Sequence, residues 1–171
     1  MKKSALSRIL NFTEDDLMAN QRGQLSEGQR SHLRSQMVLW GSGGGLMFVI
    51  MGIAFIGLLT VQLDLLSLIG MAVVFVLMLV FGAGTWFEIS ERWFDLRKGV
   101  VLSATGAAEP YIRTRIHGNE YYALKIGVLE FKISSPAYYV FDPGNRYQVF
   151  YTPTAKAIVS AIQLDDASSE E

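Results

Sequence analysis

Between Arg34 and Glu88 the sequence holds a single charged side chain, Asp64. On either side of it lie 27 residues from Met37 to Leu63 and 23 from Leu65 to Phe87, with no Lys, Arg, Asp, Glu or His in either run. A hydrocarbon core about 30 Å thick is crossed by about 20 apolar residues in a helix, so each run is long enough to span one. Neither run has the polar stripe of a helix lying on a surface. Two buried helices of a soluble core would show the same composition, but the rest of the chain is too polar and strand-like to sheathe them. The expectation is a membrane hairpin, about 37–63 and 65–87, with the second helix continuing to about 96.

The polar atoms of Gln62, Asp64 and Ser67 suit the turn, and Asp64 or Ser67 can cap the second helix. So short a link makes the helices antiparallel neighbours with both chain ends on one side. That side carries Arg22, Arg30, Arg34, Arg92, Arg97 and Lys98, whereas the turn carries no Lys or Arg. Positive charge collects on the cytoplasmic side, so both termini are expected in the cytoplasm and the hairpin in the inner (cytoplasmic) membrane. Trp40, Trp86 and Trp93, with Phe87 and Phe94, gather at the same end as interface anchors. Gly41 and Gly45 form a GxxxG pair, and Gly52 and Gly82 add small surface for helix packing. These glycines suit either a docking face for another subunit or the packing of the hairpin on itself.

Ahead of the first run, residues 1–36 read as a helical arm. Its lysines are followed by acidic residues before any long apolar stretch, unlike a secretory signal. Thr13 with Asp16, and Ser26 with Gln29, stand three apart in the pattern of capping boxes. They predict a short helix ending near Asn20 and a second from Glu27 running straight into the first span. Ile9, Leu10, Phe12 and Leu17 offer a small apolar face to headgroups, a partner or the chain's own C-terminal domain.

Residues 97–164 change period. VVLSATG, IRTRI, YYALKI, VLEFKI, RYQVFY and KAIVSAI alternate at two, with Gly99 able to end the preceding helix and DPGN forming a type II turn. Five to seven short strands at this spacing predict a small all-β domain, an SH3-like or OB-like barrel or sandwich. The tail, 165–171, is acidic and is expected to lack structure.

Chemistry is harder to find. With no cysteine and two histidines, neither of them near a second ligand, no metal site is indicated. GSGGG at 41–45 has no following lysine and lies inside an apolar run, so it is no phosphate cradle. The apolar runs lack the buried charge that proton relays and transporters need. A pairing of Ser160 with His117 would rest on residue type alone. No catalytic residue, metal or cofactor is therefore expected. The β-domain is mildly basic, with eight basic and four acidic side chains in 97–164, but the net charge of −1 argues against nucleic acid.

An arm reading FTEDDLMANQRGQLSEGQ, a two-span hairpin and a β-domain ending YTPTAKAIVSA resemble bacterial two-span membrane proteins with a small soluble β-domain. More loosely, spans followed by a small barrel are similar to NfeD-like proteins, which implies partnership with membrane proteases or scaffolds. The expected function is a non-catalytic accessory, assembly or scaffold subunit. Its partners would be membrane lipids and other membrane-protein subunits or itself, with Arg113, Arg115 and Tyr121 as the candidate interaction surface. The alternative is a membrane-anchored sensor that binds a small ligand or anionic lipid headgroups on the same basic face.

Overall fold

The computed structural model describes residues 2–59, 65–114 and 120–164. The expected turn around Asp64, the HGN turn at 117–119 and the tail from 165 lie outside the described residues. Two compact units are present, one made of Met1–Ser31 with Asp95–Glu171 and the other of His32–Phe94.

The first unit is a mixed helix/sheet fold. Helix α1 (Lys2–Leu10) and helix α2 (Glu14–Gln21) are joined by a short elbow in which Asn11 takes φ +53°. Asn tolerates that left-handed conformation better than most residues. At the start of α2 the Thr13 hydroxyl accepts the Asp16 N–H at 3.2 Å, and the Asp16 carboxylate accepts the Thr13 N–H at 2.8 Å. The second capping box is also present, with Ser26 Oγ accepting the Gln29 N–H at 3.0 Å. It opens α3 (Glu27–Leu59). Helix α4 (Leu65–Lys98) ends at Gly99, whose φ of +63° requires the glycine and whose N–H donates to the Asp95 carbonyl at 2.8 Å.

Five strands follow: β1 (Leu102–Thr114), β2 (Glu120–Ile126), β3 (Leu129–Lys132), β4 (Arg146–Tyr151) and β5 (Ile158–Gln163). They form one antiparallel sheet in the order β3-β2-β1-β4-β5. Among the described residues, VVLSATG and IRTRI contribute not to two strands but to one, β1. Its first half, Leu102–Ala107, pairs with β4, and its second half, Ala108–Thr114, pairs with β2. The change of partner comes beside Gly106, where a Cβ would stand 2.8 Å from the Gly127 nitrogen. Only glycine lets the two backbones approach so closely. DPGN forms its turn with Gly144 at φ +84° and the Asn145 N–H on the Asp142 carbonyl at 3.4 Å.

The expectation of a separate all-β domain is corrected. No ladder joins β3 to β5 among the described residues, and helices complete the core instead. Leu6 of α1 is 2% exposed and lies in one cluster with Leu124, Phe131, Phe141, Tyr147 and Val149. A short helix α5 (Ser135–Tyr138), which the sequence pattern did not reveal, adds Ala137 to the same cluster. Of the arm's apolar residues, Ile9 and Leu10 pack against this cluster. Gly23–Leu25 is joined to the entry of β1 as well, with the Leu25 N–H on the Gly99 carbonyl and the Val101 N–H on the Gly23 carbonyl, each 2.9 Å.

The second unit consists of the long apolar parts of α3 and α4. Among the described residues one helix is long and apolar enough to cross a membrane by length and composition, α4 from Leu68 onward. The described part of α3 contributes a shorter apolar stretch, Gly45–Gly57. Along both, large apolar side chains stand in the open: Leu46 is 62% exposed, Ile53 66%, Val80 63% and Trp86 71%.

Candidate functional site

The helical arm and the end of α4 are tied to β5 and to the loop before it through buried polar groups, of which, among the described residues, only Asn20 Oδ1 lacks a partner. Asp95, on the last turns of α4, is 1% exposed. Its two carboxylate oxygens accept the backbone N–H groups of Thr154 at 2.9 Å and Ala155 at 2.7 Å. The loop that offers them is itself tied, because the Lys156 N–H donates to the Thr152 carbonyl at 3.0 Å and Lys156 takes φ +50°. Two successive N–H groups aimed at one carboxylate make an anion-holding nest. Here it is filled from within the chain.

Three further contacts run from the arm to β5 and within the arm. Asn20 Nδ2 donates to Ser160 Oγ at 2.7 Å, and Asn20 Oδ1 is buried with no partner among the described residues. Gln29 Nε2 donates to the Val159 carbonyl at 3.0 Å. Asp16 accepts from the Ser26 hydroxyl as well as from Thr13. Burial of Asp16 opposes its charged form, but the hydrogen bonds from Ser26 and Thr13 outweigh it and hold the carboxyl below its ordinary value. Ser160 is thus a fully buried partner of Asn20, and His117 lies outside the described residues.

On the outer face of the sheet, Arg113 Nη1 donates to both oxygens of Glu130, at 2.8 and 3.0 Å. That hydrogen bond raises the Arg113 guanidinium and, with a second one from the Tyr111 hydroxyl, lowers the Glu130 carboxyl. Lys125 pairs with Glu109 at 3.1 Å across β1 and β2. Of the expected interaction surface, Arg113 and Tyr121 pair directly across the β1–β2 ladder, whereas Arg115 lies outside the described residues. Two of the basic groups on this face are matched by acids, a feature visible only once the strand register is known.

In the second unit, Gly45 and Gly52 stand seven apart on α3, and a Cβ at either would meet nothing within 4 Å. Gly82 lies in a groove of 470 Å³ along α4, with Phe75, Met78, Leu79, Ala83, Trp86 and Phe87. Trp86 and Trp93 are 71% and 55% exposed. The side chains at Trp40 and Gly41 lie outside the described residues.

A cavity of 660 Å³ opens between the α1–α2 elbow and β5, lined among others by Phe12, Glu14, Leu17, Met18 and Ile162. It was not foreseen, because residues of the arm and of β5 are far apart in sequence. Among the described residues no group of three or more His, Cys, Asp or Glu is placed to hold a metal ion. No family model, curated protein or solved structure matches the chain.

Proposed function

We propose that the chain is a non-catalytic integral membrane protein, an accessory, assembly or scaffold subunit anchored by a hairpin of α3 and α4. The observation that carries this reading is the exposure of large apolar side chains along both helices, Ile53, Leu79, Val80 and Trp86 among them. Each CH₂ group left in water costs about 0.8 kcal/mol relative to an apolar surrounding, so such helices favour lipid. The open surfaces at Gly45 and Gly52 are available to a neighbouring helix, and close backbone approach is what associates helices in lipid. The mixed helix/sheet unit would present its surface in the cytoplasm, with both termini there. That order of elements loosely resembles NfeD-like proteins, from which the chain departs in its single hairpin and long helical arm.

The sensor reading is the weaker of the two, since Glu130 and Glu109 already engage Arg113 and Lys125 and dilute the positive face it requires. Purification in mild detergent under gentle conditions tests the choice. A complex larger than one chain, or a reproducible companion protein, supports the subunit reading. A lone monomer with no companion, whose retention on liposomes depends on anionic lipid, would support the sensor and overturn it.

A further inference from the structure

Arg30 stands where local forces do not ask for a cation. It is the fourth residue of α3, in the first turn, where the helix dipole disfavours positive charge. Its guanidinium nevertheless has a definite seat on Gly99, with Cζ 3.0 Å from the point a Cβ there would occupy. Glycine makes that seat possible, since it has no side chain and holds φ +63°. Arg30 is exposed and makes no ion pair or side-chain hydrogen bond among the described residues. Arg97 and Lys98 end α4 just before Gly99, exposed and equally without an acid partner among the described residues. Within a turn of Arg30 or Lys98 the sequence adds Arg34 and two acids, Glu27 and Asp95. Asp95 is 1% exposed and taken by the N–H groups of Thr154 and Ala155, and Asp16, behind Ser26, is likewise engaged. Four exposed cations therefore stand against one exposed carboxylate, Glu27. On α4 they come one turn after Trp93 and Phe94, which are 55% and 52% exposed and suit a bilayer interface. One turn is about 5 Å, within the depth of a headgroup layer.

We propose that Arg30 and Lys98 clamp the phosphate of an anionic phospholipid headgroup. The guanidinium fork matches the two free oxygens of a phosphodiester, and the ammonium adds a point charge beside them. An anionic headgroup is selected over a zwitterionic one, because a choline would meet Arg97 and Lys98 as like charges. The proposal rests on the membrane reading of α3 and α4. It concerns other residues than the basic face of the sheet, where Arg113 and Lys125 are matched by acids.

The full chain in a mild detergent is titrated with dihexanoylphosphatidylglycerol and, separately, with dihexanoylphosphatidylcholine, and bound lipid is counted by native mass spectrometry. Saturable binding of the glycerol lipid is expected, with the choline lipid about tenfold weaker. Arg30→Gln should weaken the glycerol lipid about tenfold and Lys98→Gln several-fold. Arg30→Lys should fall in between, because an ammonium keeps the charge but not the fork. Lys132→Gln removes an exposed cation on β3 and should change nothing. These side chains are exposed, and the thermal midpoint of each variant checks that its fold is kept. Equal binding of the two lipids overturns the proposal. So does a loss with Lys132→Gln as large as with Arg30→Gln, which would signal diffuse charge rather than a site. Inorganic phosphate that displaces the lipid at equal concentration makes this a soluble-phosphate site and overturns the lipid assignment. Tryptophan emission in bilayers reports insertion separately, so insertion without lipid retention refutes the site and leaves the anchor standing.

Discussion

Asp95 shows how one residue can hold two distant parts of the chain together. A carboxylate 1% exposed is costly unless its oxygens are bonded, and here the N–H groups of Thr154 and Ala155 take both. Asp95→Asn keeps the shape but turns an amide NH₂ toward one of those donors. It is expected to destabilise the unit by about 1–3 kcal/mol, read as a lower denaturation midpoint in detergent. Gly99 is constrained differently: it sits at φ +63° with the Arg30 guanidinium against the place a Cβ would take. Gly99→Ala is expected to cost about 1–3 kcal/mol by the same measurement. Asp16 adds a dependence on pH. Its carboxyl lies below the ordinary value of 3.8 in the folded chain, so its contribution is fully present well above 3.8 and is lost as pH falls through the lower, folded value. Asp16→Asn should flatten the acid limb of the stability curve and leave its neutral plateau lower but pH-independent over that range.

Among the elements, α1 is the one whose role depends most on distant residues. Leu6 lies in the same buried cluster as Phe131 and Tyr147, more than a hundred residues onward. Leu6→Ala is expected to destabilise by about 2–5 kcal/mol. A fragment of residues 97–171 alone loses Leu6, Asn20, Gln29 and Asp95 together, and should give the collapsed amide spectrum of an unfolded chain. Residues 1–31 joined to 95–171 by a flexible Gly/Ser linker should restore dispersed signals. The two capping boxes could be read directly, because each is a local matter of residues three apart, and so could the Gly99 stop and the DPGN turn. Helix α1 could not, since nine residues carry little periodic signal and the partner of Leu6 is remote. The continuity of β1 was hidden for a related reason: Gly106 reads as a break in sequence but serves a close approach to Gly127. At the candidate site, Arg113 and Tyr121 were visible as surface residues. The matching of Arg113 by Glu130, and the cavity at the elbow, depend on strand register and on an arm folded back against β5.

At the scale of the whole molecule, the account rests on the uncharged middle of the chain living in lipid. The absence of native cysteine makes topology simple to probe. Asp64→Cys and Ser168→Cys should react with an impermeant maleimide from opposite faces of sealed membrane vesicles. The same absence of clutter extends to fluorescence, because the three tryptophans, Trp40, Trp86 and Trp93, all belong to α3 and α4. The most direct measurement is therefore tryptophan emission of the chain reconstituted in bilayers whose lipids carry bromine at stepped depths. Blue-shifted emission, quenched most by bromine near the headgroups as an interfacial belt requires, is the predicted result. Emission like that of tryptophan in water with no quenching at any depth, from a chain that stays dissolved without detergent, would contradict it.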